Sequence, residues 1–249
     1  MKLKSVKPLH CQKIMNNLEG YSKFQINTVN QMLNFIFNRA MENNLIIENP
    51  ARNLTKPKGK VSKRRPLNSE ETTAFLEASN SNDDYIYFLL MYHCGLRPSE
   101  AREVKGSDIK TLEGEKIINI RGTKNVNATR TVPIPDDLYT IVKDINKFFY
   151  LANNSGTKLT DYQDRALWLK LKKEIYNKDT GNLDKISSNS PLTPYCFRHT
   201  FCTNLQKKGV DIRTAQYLMG HSTIELTANI YTHADEETIL SAAKLINNR

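Results

Sequence analysis

The segment from Thr193 to Tyr231 constrains the fold most, because capping and turn residues divide it into three short helices. Thr193 is a favourable N-cap, and Pro194 suits the first turn of a helix, where its missing N–H costs nothing. The first helix should therefore run from Pro194 to about Lys208 and end before Gly209.

Two more helices should follow this one closely. The second should start near Asp211 and stop at Gly220. Ser222 begins the capping-box pattern S-x-x-E, so a third helix should start there. His221 then lies in the tight turn between two helix ends, and Tyr231 lies near the far end of the third helix.

Three side chains of this segment, Arg198, His221 and Tyr231, have the chemistry needed at a phosphodiester. Tyr195 and Arg198 share a face of the first helix, whereas Phe197 and Phe201 point elsewhere and should be core. A guanidinium can bridge two non-bridging oxygens, and an imidazole can donate to one of them. Tyr231 is a candidate covalent nucleophile, although its pKa of roughly 10 requires a base or a positive field.

A second arginine stands at a predicted helix entrance far upstream. Arg97 directly precedes Pro98, which biases its backbone out of the helical region. This position can direct a guanidinium into a cleft. The same pattern also permits a simple surface pair between Arg97 and Glu100.

Most of the remaining chain has helical periodicity, with one predicted hairpin. Residues 116–121 alternate and are rich in Ile, and residues 129–134 read as the partner strand. The loop between them, residues 122–128, holds Lys124. Helices are predicted at about residues 8–18, 22–43, 68–78, 83–94, 136–151, 161–176 and 235–247.

Positive charge is concentrated at the N-terminal end. The net charge is +10, and residues 1–65 hold 13 basic against 3 acidic residues, whereas the remainder holds 23 of each. This asymmetry indicates a polyanion such as DNA or RNA, or else a solvated basic face. The basic linker at residues 58–65 favours contact with a phosphate backbone. Its candidate DNA-binding residues, with one just before it, are Lys56, Lys58, Lys60, Lys63, Arg64 and Arg65.

The motifs resemble those of the tyrosine recombinases, the phage-integrase family. The matching runs are R-H-T-F from Arg198, M-G-H ending at His221, Y-T-H from Tyr231, and G-L-R-P-S-E around Arg97. One departure is that Tyr195 stands where the family usually has a leading His. The resemblance is specific from about residue 66 to the C-terminus and looser over residues 4–57.

The resemblance implies a mainly α fold with a small antiparallel sheet, of class α+β. Residues 66–249 would form the catalytic domain, and residues 1–57 a partial helical core-binding domain that lacks the family's upstream helices. Lys124 would be the general acid on the leaving 5′ oxygen. The implied catalytic set, which needs no metal ion or cofactor, is Arg97, Lys124, Tyr195, Arg198, His221 and Tyr231.

The implied activity is site-specific recombination of duplex DNA by a tetramer, through a 3′-phosphotyrosyl link, for integration or excision of a mobile element. A type IB topoisomerase shares this chemistry but acts as a monomer. A non-catalytic DNA-binding protein is a third reading. The four cysteines show no C-x-x-C spacing, and no apolar run is long enough to span a membrane, so we expect a cytoplasmic protein without a zinc site.

Overall fold

The computed structural model describes residues 2–60, 65–122, 129–177 and 191–231, in two units divided between Lys63 and Arg64. This division lies inside the predicted linker. The described ranges are mainly helical with one small antiparallel sheet, which confirms the predicted α+β class. Within those ranges, no helix is both long enough and apolar enough to cross a membrane.

The elements follow the predicted order closely. The first unit holds α1 (Pro8–Asn16) and α2 (Lys23–Glu42). The second unit holds α3 (Ser69–Asn80), α4 (Ile86–Cys94), α5 (Pro98–Ala101), β1 (Ile109–Leu112), β2 (Glu115–Ile120), β3 (Arg130–Pro133), α6 (Asp136–Val142), α7 (Asp161–Asn177), α8 (Tyr195–Lys207), α9 (Ile212–Met219) and α10 (Ile224–Tyr231).

The first unit has a small apolar core between its two helices. Cys11 of α1 packs with Phe37 of α2 and with Ala51, and all three are buried. The hydroxyl of Ser22 accepts from the backbone N–H of Gln25 at 3.2 Å, which caps α2. A core this small leaves much of the apolar surface of α2 exposed.

The beginning of the predicted linker is fixed to the first unit. The backbone of Lys60 donates to the carbonyl of Tyr21 at 2.9 Å and accepts from the N–H of Lys23 at 3.0 Å. Gly59 permits this approach, because a Cβ there would lie 2.4 Å from the Cα of Lys23. Backbone pairing therefore orders the start of the predicted linker.

The core of the second unit is centred on α4 and α8. The rings of Phe88 and Phe197 lie 5.4 Å apart, and Phe75 lies 4.5 Å from Phe197. Phe201 is also buried, so the prediction that Phe197 and Phe201 are core is confirmed. Gly95 ends α4 in the left-handed region (φ 63°), and a Cβ there would strike the Phe201 ring at 2.2 Å.

The sheet has one strand more than the predicted hairpin. Strands β1 and β2 are joined by Glu113 (φ 50°) and Gly114 (φ 91°), both in the left-handed region typical of tight hairpins. In the predicted pair, Ile118 lies opposite Val132 and Ile120 opposite Arg130. Residues 123–128, between β2 and β3, lie outside the described residues.

The prediction of one helix over residues 136–151 is wrong, because α6 ends at Val142. The chain beyond it pairs with the segment after α5. The N–H of Leu151 donates to the carbonyl of Val104 at 2.9 Å, and Gly106 donates to the carbonyl of Phe149 at 3.1 Å. These tertiary backbone bonds override the local helical preference.

Helix starts in the C-terminal segment differ slightly from prediction. The N-cap of α8 is Pro194, one residue later than predicted, and the N–H of Thr193 instead points to the sulfur of Cys196 at 3.3 Å. Helix α10 begins at Ile224, later than a cap at Ser222 requires. Helix α9 is capped by Asp211 as predicted.

Candidate active site

Arg97 points into the second unit from the entrance of α5. Its backbone is extended (φ −71°, ψ 153°), as the following Pro98 requires. Its Nη1 donates to Oε1 of Glu100 at 2.7 Å, and its Nη2 donates to the carbonyl of Gly220 at 2.5 Å. The two side chains do pair, as the sequence allowed, but Glu100 is only 4% exposed, so the contact is partly buried and does not lie on the open surface.

Arg198 lies deeper, on α8, and is 4% exposed. Its guanidinium donates to the carbonyls of Gly95 and Met219. Burial, followed by the charge of Arg97, lowers the pKa of Arg198 to about 9, so the group remains charged at neutral pH. An entering anion would favour the charged form of this buried group.

Three arginines from three elements meet at the C-terminal end of α9. Arg130 of β3 donates from Nε to the carbonyl of Leu218 at 2.7 Å, while Arg198 and Arg97 hold the next two carbonyls. Carbonyls at a helix C-terminus lack intrahelical partners and carry partial negative charge, so cations suit them. We refer to Arg97, Arg130 and Arg198 as the guanidinium cluster.

Glu100 is the common counter-charge of this cluster. Arg130 donates to both of its oxygens, at 3.1 and 2.9 Å, and Nη1 of Arg198 lies 3.8 Å from Oε2. Burial raises the pKa of Glu100, but the hydrogen bonds and charge of Arg130, and then the hydrogen bonds of Arg97, outweigh it and bring that pKa to about 2. One anion against three cations leaves the cluster positive.

His221 directly follows the three carbonyls at the end of α9 that accept from the arginines. Its Nδ1 lies 2.9 Å from the hydroxyl of Thr227, which is fully buried on α10. Burial and then the charges of Arg198 and Arg97 lower the pKa of His221 to about 3. The imidazole is therefore neutral at physiological pH, with one ring nitrogen able to donate and the other to accept.

Tyr231, the last residue of α10, is half-buried, and its hydroxyl donates to the carbonyl of Val210 at 3.2 Å. Burial and then the charges of Cys202 and Asp211 raise the pKa of Tyr231 to about 12. Among the described residues, no hydrogen bond joins this hydroxyl to the guanidinium cluster or to His221. The structure therefore gathers Arg97, Arg198 and His221 but leaves Tyr231 bound to a different partner.

Of the other two predicted catalytic residues, the structure describes only Tyr195. Tyr195 is the first residue of α8 and is 39% exposed. Lys124 lies outside the described residues, and so do the C-terminal helix predicted from residue 235 and, among the basic candidates, Lys63 and Arg64. The roles of Lys124 and Tyr195 stay predictions.

Two of the basic residues predicted to bind DNA make side-chain contacts within the protein. Arg65 grips the buried carboxylate of Glu71 with two donors, at 2.5 and 2.7 Å, and so supports the start of α3. Lys56 reaches the side chain of Asn27 at 3.2 Å. The structure thus gives Arg65 a folding role that the sequence did not indicate.

Sequence reasoning missed Arg130 and underrated Glu100. A carboxylate three residues after an arginine is common on exposed helices, so the run from Arg97 to Glu100 gave no sign of burial. Alternation within β3 did carry a signal for Arg130, because positions 130 and 132 share a strand face and Val132 is core. An arginine on a core-facing position needs a buried counter-charge.

Comparison with known proteins identifies the class. The Phage integrase family profile matches residues 65–238, which is more than half of the chain. The chain belongs to this family and is a site-specific tyrosine recombinase, an enzyme that breaks and rejoins DNA. The resemblance inferred from the motifs is thereby confirmed.

The chain is similar to individual tyrosine recombinases and to transposon proteins. It is 32% identical over 232 residues to the tyrosine recombinase XerA of Thermococcus onnurineus, covering 90% of this chain and 76% of the relative. It is 26% identical over 285 residues to the transposase from transposon Tn916 of Enterococcus faecalis, covering 98% and 67%. The fold matches a Tn1549 transposon integrase in complex with circular intermediate DNA, with a TM-score of 0.69, 22% identity and coverage of 98% and 86%.

Proposed function

We propose that the chain cuts duplex DNA one strand at a time, holding the scissile phosphate with Arg97 and Arg198 and attacking it with the hydroxyl of Tyr231. The observation that carries the proposal is that both guanidiniums, from segments far apart in sequence, are anchored on adjacent carbonyls, those of Met219 and Gly220. Donors fixed before the substrate arrives stabilise developing charge without reorganisation.

The cluster supplies the positive charge that phosphoryl transfer needs. Attack on phosphorus places negative charge on the non-bridging oxygens, and a guanidinium can donate to two of them. Arg97 and Arg198 each direct two described bonds into the protein, and a guanidinium has five N–H groups. Each therefore retains N–H groups for a phosphate oxygen.

The covalent step exchanges one phosphate ester for another. The hydroxyl of Tyr231 leaves the carbonyl of Val210, gives up its proton to water and bonds to phosphorus as the bond from phosphorus to the 5′ oxygen breaks, forming a 3′-phosphotyrosyl link. Lys124 gives a proton to the departing 5′ oxygen. The phosphate stays an ester throughout, so a second 5′ hydroxyl can reverse the reaction and rejoin the strands without ATP.

His221 and Tyr195 act as hydrogen-bond donors in this scheme. When the hydroxyl of Thr227 donates to Nδ1 of His221, the neutral ring carries its proton on Nε2, the tautomer that donates to a phosphate oxygen. Tyr195 lies one turn before Arg198, at the exposed start of α8, where a phenol can donate to the phosphate but is a poor base.

The partners follow from the charge distribution and from the relatives. The excess of basic residues in residues 1–65 suits a DNA backbone. A lambda integrase of similar fold (TM-score 0.71, 16% identity, 94% of this chain and 67% of that chain) is a dimer bound to a core site. We propose a tetramer on paired duplex sites that integrates or excises a mobile element. It would act in the cytoplasm, where buried free thiols such as Cys94 stay reduced.

A nicked suicide substrate tests the proposed chemistry. The small 3′ fragment of the cleaved strand diffuses away, so the wild-type protein should accumulate as a covalent DNA adduct that survives denaturation. The Tyr231→Phe variant should bind the same DNA with unchanged salt dependence and form no adduct. Binding without any wild-type adduct would instead support a non-catalytic DNA-binding protein.

A further inference from the structure

Arg130 is a buried cation that the proposed chemistry does not use. It is 3% exposed at the start of β3, and its strand neighbour in the register is the buried Ile120. A buried guanidinium is costly unless its donors are paired. Its described contacts all lead to parts of the active site, which is why its role is of interest.

Arg130 grips Glu100 and the end of α9 at the same time. Its two Nη atoms donate to the two carboxylate oxygens of Glu100, and its Nε donates to the carbonyl of Leu218 at 2.7 Å. It also packs directly under Gly220 (φ 60°), where a Cβ would lie 2.8 Å from Nη1 of Arg130. The turn leading to His221 therefore rests on this side chain.

Because Arg130 binds both carboxylate oxygens of Glu100, it limits the hydrogen bonds that Glu100 can accept from Arg97 and Arg198. With both oxygens occupied by Arg130, Nη1 of Arg198 stays 3.8 Å from Oε2, beyond hydrogen-bond distance. A carboxylate that lost this partner would take donors from Arg198 and more from Arg97. Those are the donors that a phosphate needs.

We propose that Arg130 is a positioning residue, which occupies Glu100 and fastens the end of α9 so that Arg97 and Arg198 keep their remaining N–H groups for the scissile phosphate. The inference rests on the proposed function of those two arginines. Arg130 itself is too buried to touch DNA.

The Arg130→Lys variant tests this role under single-turnover conditions on the suicide substrate. Lysine keeps the charge but cannot bridge both oxygens of Glu100 and the carbonyl of Leu218 together. The rate constant for adduct formation should fall by about 10- to 100-fold, the cost of a small misplacement of catalytic groups. DNA affinity should stay within about twofold, because Arg130 makes no DNA contact.

Arg102→Lys is the matched control, since Arg102 also pairs with carboxylates, those of Asp161 and Asp164, but away from the cluster. Its rate constant should equal that of the wild type. A purely structural loss in Arg130→Lys would lower the amplitude of adduct, as less protein is folded, and leave the rate constant of the folded fraction unchanged. That pattern would overturn the inference.

A substrate with a methylphosphonate at the scissile position tests whether the rate defect of Arg130→Lys comes from misplaced arginines or from another change in the protein. This neutral linkage develops less charge, so the guanidiniums matter less, and the defect of Arg130→Lys should shrink several-fold on it. An equal defect on both linkages would show that Arg130 does not act through Arg97 and Arg198.

Should Arg130→Lys fail to fold, the paired variant Arg130→Gln with Glu100→Gln removes both buried charges together. Adding Arg130→Gln to Glu100→Gln should then lower the rate constant by clearly less than the 10- to 100-fold expected of Arg130→Lys, because only the bond to the carbonyl of Leu218 remains to be lost, whereas a full-sized loss would overturn the inference. A wild-type protein that forms no adduct would refute the proposed function and this inference together. A normal wild-type rate matched by Arg130→Lys would refute the inference alone.

Discussion

The guanidinium cluster and the nucleophile differ in how far they are prepared for reaction. Arg97 and Arg198 are tied to the end of α9 by bonds that span 123 and 21 residues of sequence, and both share Glu100. Tyr231 is held by the carbonyl of Val210, and its pKa is raised to about 12. The proposed phosphate site is therefore assembled, whereas the phenol of Tyr231 is not ionised and donates to a different partner.

The difference assigns separate tasks to the two regions. A cluster fixed by long-range contacts can recognise a phosphate as soon as DNA binds. A tyrosine on the last turn of a short helix can change partner at the cost of one hydrogen bond, about 1 kcal/mol. Cleavage would then be limited by the movement and ionisation of Tyr231 and not by formation of the anion site.

Replacing Lys124 should give the largest rate effect among the predictions. We expect Lys124→Ala to slow adduct formation by about 10²- to 10⁴-fold, the usual contribution of a general acid. A substrate with a 5′-bridging sulfur should restore the rate, because a thiolate leaves without being protonated. Lys116→Ala, on β2, is the control and should cleave both substrates normally. Failure of the sulfur substrate to rescue Lys124→Ala would place Lys124 in another role.

Replacing either of the arginines proposed to bind the phosphate should give the next largest effect on the rate. Arg97→Lys and Arg198→Lys should each lower the single-turnover rate by about 10²- to 10³-fold, since lysine loses the forked donor geometry. Arg198→Lys should also lower the melting temperature, because Arg198 is buried and satisfies the carbonyls of Gly95 and Met219. Arg97→Lys should melt nearer to the wild type. Equal stability losses in both variants would contradict the difference in burial.

The sequence predicted some local features of the site correctly. Asp211 and Gly220 marked both ends of α9, and the position of Arg97 before Pro98 gave its extended backbone, because caps and proline act locally. The partners of the arginines could not be read in the same way. The bond from Arg97 to Gly220 depends on how distant helices pack, and the grip of Arg130 on Glu100 depends on strand register.

Replacing Tyr195, which stands where the family usually has a histidine, should lower the cleavage rate by a smaller factor. Its position at the exposed start of α8 suits a hydrogen bond to the phosphate, worth about 1 kcal/mol. Tyr195→Phe should therefore cleave roughly fivefold more slowly and still accumulate adduct. Complete loss of adduct in Tyr195→Phe would make Tyr195 essential and refute this assignment.

The smallest effect concerns the pH dependence of stability at His221. Its pKa falls from 6.5 to about 3 on folding, so between these values the unfolded chain binds more protons and stability is lost as pH falls. His221→Gln should make the free energy of unfolding less steep against pH in this window. Above pH 7 the difference in free energy of unfolding between the wild type and His221→Gln should not change with pH. An unchanged slope below pH 6.5 would mean that His221 is already protonated in the folded protein.

The structure of the Lys124→Ala variant on an uncleaved duplex site would test the central claim most directly. We predict that Arg97 and Arg198 keep their bonds to the carbonyls of Gly220 and Met219 while contacting the scissile phosphate, and that the hydroxyl of Tyr231 leaves Val210 for that phosphate. A complex in which the arginines abandon the end of α9, or in which a bound phosphate touches neither of them, would contradict the account.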